Sequence, residues 1–228
     1  MTDPHPLDQA VWNALTSRQA AFALGEGQAR RFAPTFGPLT GAADASPTSL
    51  AALAALPPGP GGLWMLQPGP FPAPPGMVVA HSAGCVQMVA EGPVSAADDI
   101  AFVDLTDADA DEMLALATLT EPGPFAEQTH KLGDFIGLRI DGRLAAMAGE
   151  RLRPPGFTEV SGVCTHPDFR GHGYAAALMR VVMARIQARG ETPFLHAYET
   201  NAPAIKLHRS LGFVHRRTVM LTVLTAVG

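Results

Sequence analysis

Arg170-Gly-His-Gly-Tyr-Ala-Ala-Ala-Leu-Met179 follows the apolar run Val160-Ser-Gly-Val-Cys-Thr165 and opens an apolar-periodic stretch that ends near Ala188. A strand, a glycine-rich turn and a helix stand there in order. The turn leaves backbone N–H groups free at a helix N-terminus, beside an arginine. Those orphan donors and the helix dipole both favour an anion, phosphate above all. Glycine matters at such a turn because a β-carbon would hold phosphate oxygens away from the main chain.

The segments around this stretch read as follows. Residues 100–105 make a strand, and Thr106 or Asp107 caps a helix through Leu119. Residues 122–129 read as a loop with a short helix. Residues 135–140 and 143–148, joined by Asp141-Gly142, form a hairpin, since Asp-Gly supplies a tight primed turn. A strand over 158–165 enters through Pro154-Pro-Gly156. A helix over 173–188 closes at Gly190. Then come a strand over 194–198, a helix over 203–211 ended by Gly212, and a last strand over 213–223. The order from residue 100 is β-α-(α)-β-β-β-α-β-α-β.

Earlier segments carry weaker signals. Residues 11–24 have helical spacing of Trp12, Leu15, Ala20 and Phe22, and 49–56 is a short helix stopped by Pro57-Pro58. Residues 63–66, 77–80 and 86–90 read as strands between Pro/Gly-rich turns. The expected division is an N-terminal accessory part over 1–95 and a second part over 96–228.

The chain has 228 residues, 47% hydrophobic and 16% charged, enough for one large domain or two small ones. Its net charge of -5 gives no basic field for nucleic acid. Lys131 and Lys206 are the only lysines, so the glycine turn has no Walker lysine either. Cys85 and Cys164 lie far apart without a CxxC partner, and His130, His172, His196 and His215 show no ligand spacing, so no metal is expected. The start, Met-Thr-Asp-Pro-His-Pro, lacks the features of a signal peptide, and no apolar run reaches the roughly 18 residues of a membrane span. The expectation is a cytoplasmic protein, monomer or homodimer, with no membrane or nucleic-acid partner.

Two motifs carry a resemblance. One is Arg170-x-x-Gly173-x-Ala175, preceded by Thr165-His-Pro-Asp-Phe169; the other is Asn201-x-Pro-Ala-Ile-Lys-Leu-His-Arg-Ser-Leu-Gly-Phe213. With the element order, they make residues 100–225 resemble the GCN5-related N-acetyltransferase (GNAT) superfamily, closest to its glycine N-acyltransferase-like branch. The resemblance implies an α/β (α+β) fold, a mixed and splayed central sheet flanked by helices. The N-terminal α/β part then reads either as a degenerate copy of that fold or as a separate packing module; in both readings it is expected to pack against the second part and wall one side of the acceptor cleft.

The implied cofactor is acetyl-CoA or another acyl-CoA. Backbone groups of Val163, Cys164 and Thr165 are expected along the pantetheine and thioester. Those of Arg170, Gly171, His172, Gly173, Tyr174 and Ala175 are expected at the pyrophosphate, with Asn201 near the pantetheine arm while also serving as a helix cap.

Direct acyl transfer needs a neutral amine, a proton acceptor, an oxyanion donor and relief of the leaving thiolate. Glu159 is the candidate base; it matches the place where several family members carry a catalytic glutamate. In a regular strand it shares a face with Ser161, Val163 and Thr165, a parity that a bulge would break. Its competing role is a pairing with Arg151 or Arg153. Glu150 is a second carboxylate. Backbone N–H of Cys164 or Thr165 is the oxyanion donor, and the Cys164 thiol reads as packing. His208 stands where the family has tyrosine near the CoA sulfur; as a charged acid it would bring an alkaline limb well below the phenol range. The expected activity is N-acyl transfer to a primary amine of a small molecule or amino acid. The alternative is a CoA-binding regulatory or structural module without turnover.

Overall fold

The computed structural model describes residues 5–57, 59–94 and 100–227. Part of the signal-peptide reading (residues 1–4), the second proline of the Pro57-Pro58 stop and the 95/96 boundary lie outside the described residues.

The N-terminal elements are α1 (Ala10–Leu15), β1 (Ala23–Leu24), β2 (Ala29–Phe32), β3 (Leu39–Ala42), α2 (Pro47–Ala54), β4 (Leu63–Gln67) and β5 (Met77–Ala90). After them come β6 (Val103–Leu105), α3 (Ala110–Thr120), β7 (Phe135–Ile140), β8 (Arg143–Glu150), β9 (Phe157–Thr165), α4 (Tyr174–Ala188), β10 (Thr192–Tyr198), α5 (Ala202–Ser210) and β11 (Phe213–Ala226).

Local chemistry explains many boundaries. Ser46 caps α2 by accepting from Ser49 N, with proline in the first turn. Asn201 caps α5 by accepting from Ala204 N, again with proline behind it. Thr106 and Asp109 form a capping box ahead of α3. Asp141 (φ 49°) and Gly142 (φ 80°) both take positive φ, the primed turn expected between β7 and β8.

The expected helix over 11–24 is corrected to α1, a 3-10 turn at Ala20–Phe22 and the short β1. Gln19 explains the break. Its amide nitrogen donates to Arg151 O at 2.7 Å, and its oxygen accepts from Arg153 N at 2.9 Å. These long-range bonds draw the chain out of helical geometry. The separate strands expected at 77–80 and 86–90 are one, β5, because the ladder to β11 also holds His81 and Ser82, opposite Val223 and Thr222.

Among the described residues the strands form one sheet in the order β1-β2-β3-β4-β11-β5-β10-β9-β8-β7-β6. β5, from the N-terminal segment, lies between β10 and β11, antiparallel to both. The two segments of the chain therefore share one sheet. Helix α4 packs Leu178, Met179 and Val182 against Ile136, Ala146 and Ala148. On the other face α3 packs Met113, Leu116 and Ala117 against Phe135 and Met147.

Two irregularities shape the middle of the sheet. β9 and β10 are parallel and paired only from Phe157↔Thr192 to Glu159↔Phe194, after which they diverge. β9 also carries an extra residue against β8, between the pairs Ser161↔Gly149 and Cys164↔Met147. Strict alternation would put Val160 and Cys164 on one face. Instead Val160 joins the α4 cluster and Cys164 the α3 cluster, as a bulge requires. Gly162 takes φ 63° there, and a β-carbon would lie 2.7 Å from the Phe135 ring.

Candidate active site

Where β9 and β10 part, a cleft of about 210 Å³ opens. Glu159, Ser161 and Val163 line it from β9, His196 and Tyr198 from β10, and Asn201 and His208 from the last helix. Leu39, Trp64, Leu66 and Cys85 wall it from the N-terminal segment, and residues 121–124 form part of its rim.

Glu159 lies in the cleft, but its carboxylate is committed. Arg151 Nε donates to Oε2 at 2.9 Å, Arg151 Nη2 donates to Oε1 at 3.0 Å, and His196 Nδ1 lies 2.7 Å from Oε1. Burial alone would raise its pKa. The Arg151 charge and the His196 and Arg151 hydrogen bonds overcome that and hold it at about 2. So acidic a carboxyl group is a weak proton acceptor near neutral pH. The base role expected of Glu159 therefore meets a physical obstacle, and the pairing with Arg151 is the one present.

The His196 tautomer follows from its neighbours. Arg216 Nη1 donates to Gln87 Oε1 at 2.7 Å, and Gln87 Nε2 donates to Leu7 O at 2.9 Å. This fixes the amide with its nitrogen toward His196 Nε2, 3.1 Å away. Nε2 therefore accepts, and Nδ1 carries the proton that meets Glu159. Asp8 in turn accepts from Arg216 and Arg217, each at 2.6 Å.

His208 lines the cleft, nearly buried, with the Phe213 ring 6.1 Å from its own. Its Nδ1 is buried without a hydrogen-bond partner among the described residues. Burial pushes its pKa down to about 4, so it is neutral at pH 7. This corrects the alkaline limb expected of an imidazolium acid: a neutral imidazole has only an N–H to offer a sulfur.

Glu150 lies outside the cleft lining; its Oε1 accepts from Arg189 Nη2 at 2.5 Å. The Cys164 thiol packs with Met113, Leu116 and Phe135, and burial pushes its pKa up to about 11. Thr165 is half-buried at the end of β9.

The glycine turn has the expected form. Gly171 (φ 85°) and Gly173 (φ 80°) occupy the left-handed region, are exposed, and have nothing within 4 Å of a notional β-carbon. Ala177 N bonds back to Gly173 O at 3.1 Å, which leaves the N–H groups of Tyr174, Ala175 and Ala176 outside the helical ladder. No acidic side chain stands in the first turn of α4. The His172 ring stacks on Tyr174 with centroids 5.4 Å apart, and exposed Arg170 donates through Nε to Thr165 O at 3.3 Å. Free donors, open space and an adjacent guanidinium fit a diphosphate.

Sequence reasoning missed His196, Tyr198 and Gln87, and, while expecting the N-terminal part to wall the cleft, it did not single out Leu39, Trp64, Leu66 and Cys85 as that wall. For the first two a signal existed: alternation along Phe194-Leu-His-Ala-Tyr198 sets Phe194, His196 and Tyr198 on one face. Gln87 and Trp64 have no such local signal.

A mixed sheet that splays beside a helix-borne anion turn is the GNAT class of fold. Known proteins agree with it. A family model described as FR47-like protein matches residues 135–221. A solved GNAT-family protein from Novosphingobium aromaticivorans DSM 12444 is 48% identical, with a TM-score of 0.92 over 99% of this chain and 100% of that one. A GCN5-related N-acetyltransferase-like protein from Streptococcus suis is 13% identical, with a TM-score of 0.60 over 98% of this chain and 94% of that one. A GNAT-family acetyltransferase from Colwellia psychrerythraea is 15% identical, with a TM-score of 0.53 over 64% of this chain and 58% of that one. At those lower identities the likeness is one of fold. No curated protein matches this chain. The chain belongs to the GNAT family.

Proposed function

We propose that the chain is an acyl-CoA-dependent N-acyltransferase that passes an acetyl or other short acyl group to a primary amine by direct attack. One observation carries this reading: β9 and β10 part just past Glu159 and Phe194, and β9 then leads into the free N–H groups of α4. Bound there, acyl-CoA would supply a thioester open to attack. The main chain from Arg170 to Ala175 would hold the diphosphate, and Val163, Cys164, Thr165 and Asn201 would line the pantetheine arm.

The neutral amine attacks the acyl carbon, the C–N bond forms, the C–S bond breaks, and one proton passes from nitrogen to solvent. The N–H of Cys164 or Thr165 faces the oxyanion in this reading. His208 donates an N–H to the departing sulfur. Glu159 serves as a positioning residue, holding Arg151 and His196 at the cleft floor. The N-terminal segment walls the acceptor side and supplies β5 to the shared sheet, which is consistent with a degenerate second GNAT-like half and with the glycine N-acyltransferase-like branch. Two buried free thiols, Cys85 and Cys164, agree with a cytoplasmic setting.

One observation favours the alternative, a CoA-binding module without turnover: the oxygens of Glu159 are already engaged. Thiol release from acetyl-CoA across a panel of primary amines separates the two. Binding is read by thermal shift, where CoA at ~100 Kd adds about 2.7 kcal/mol of stability. A shift without release on any amine favours the module, and no shift at millimolar CoA overturns both.

A further inference from the structure

We propose that the acceptor is a primary amine with an apolar body and no carboxylate, and that Trp64 selects for it. This rests on the acyltransferase reading of the cleft. Among the described residues the N-terminal wall of the cleft is Leu39, Trp64, Leu66 and Cys85, none of them charged. Trp64 is fixed in place, its Nε1 donating to Gly61 O at 2.8 Å. The same indole and Pro124 also line a second hollow of about 490 Å³, where Pro34, Pro38, Leu114 and Phe125 add further apolar surface. Trp64 thus stands between a small reaction cleft and a larger apolar hollow, a place for the body of an amine whose nitrogen lies by β9.

Charge gives the second half of the argument. Among the described residues Arg151 is the only arginine or lysine lining the cleft, and its fork is closed on Glu159. Arg31 lines the second hollow but is fully buried, and it donates to the Phe32 and Pro57 carbonyls at 3.0 and 2.8 Å. Glu121 and Glu127, both exposed, line the cleft and the hollow respectively. They favour an approaching ammonium group and repel a carboxylate. An acceptor carboxylate would meet a guanidinium already forked onto Glu159 in the cleft, and in the hollow one whose Nε and Nη1 are already given to carbonyls, so neither offers it a free two-pronged partner.

Phenylalanine and 2-phenylethylamine differ by that one group. Calorimetric titration of each into the full chain, with saturating CoA present, tests the inference without turnover. We expect 2-phenylethylamine to bind at least ~10-fold more tightly, which is about 1.4 kcal/mol. Trp64→Ala should lower its affinity by ~10-fold or more, and Trp64→Phe should restore most of it. Equal affinities, a preference for phenylalanine, no binding of 2-phenylethylamine, or indifference to Trp64→Ala would each overturn the proposal. Thiol release from acetyl-CoA is followed in parallel. If no amine supports it, the acyltransferase reading fails while the titrations still decide what the cleft accepts.

Discussion

Arg151 closes on Glu159 with two parallel hydrogen bonds, Nε to Oε2 at 2.9 Å and Nη2 to Oε1 at 3.0 Å. Both side chains are shielded from water, so neither tolerates losing the other. Glu159→Gln removes the charge and leaves a guanidinium buried without a counter-ion, a loss of about 3–5 kcal/mol. The double variant Arg151→Met, Glu159→Gln should recover most of it, which denaturant midpoints would report. A single variant as stable as the parent would mean that water reaches the pair.

The same two side chains bear on acid stability, together with His208. His208 has a pKa of about 4 in the fold against 6.5 as the ordinary value. Between those values the unfolded chain binds more protons, so stability is lost as pH decreases from 6.5 to 4, by up to about 3 kcal/mol. The Glu159 carboxyl stands at about 2 against 4.5. Its contribution is whole above 4.5 and is lost as pH falls through the folded value. Two successive windows follow, His208 above Glu159. His208→Phe should remove the upper one: its stability relative to the parent should rise as pH drops from 6.5 to 4, in urea midpoints taken across that range. A constant difference would place the imidazole in water.

Gly173 and Gly190 flank α4 at its two ends, with φ 80° and 75° and open space around both. Alanine at either should cost about 1–2 kcal/mol from the left-handed backbone alone. Of the two, Gly173 stands in the glycine turn proposed to hold the diphosphate. Gly173→Ala should weaken CoA by ~10-fold or more, because its methyl meets phosphate oxygens, whereas Gly190→Ala should leave CoA affinity unchanged. Calorimetry on both variants reads the contrast, and parallel effects on CoA would show that the turn does not hold the diphosphate.

β5 lies between β10 and β11, so residues 100–228 expressed alone would lack the strand that joins them. That fragment should be insoluble or lack a cooperative unfolding transition. Coexpression with residues 1–94 should restore a soluble complex, since the missing strand pairs along all of β11. A soluble, cooperatively folded fragment would show that the C-terminal segment closes its own sheet.

Much of the second segment was legible because its signals are local. Asp141-Gly142, Gly173, Gly190, Asn201 and Gly212 each mark a boundary through chemistry reaching only a few residues, and the elements between them stand where that chemistry puts them. Strands β2 and β3 went unread because Ala29-Arg-Arg-Phe32 and Leu39-Thr-Gly-Ala42 are short and carry no alternation of their own. They are strands because β3 pairs with β4, a partner more than twenty residues on in the chain.

The chain's own spelling determined the glycine turn, the hairpin and the capped helices, since those depend on φ preferences and hydrogen bonds within a turn or two. Tertiary structure alone decided that Glu159 is bound rather than free, that His208 is neutral, and that an N-terminal strand and Trp64 complete the sheet and the cleft. The physical reason is reach: a carboxylate's proton affinity and a strand's neighbour are set by groups brought within about 3 Å by folding, however far apart they lie along the chain.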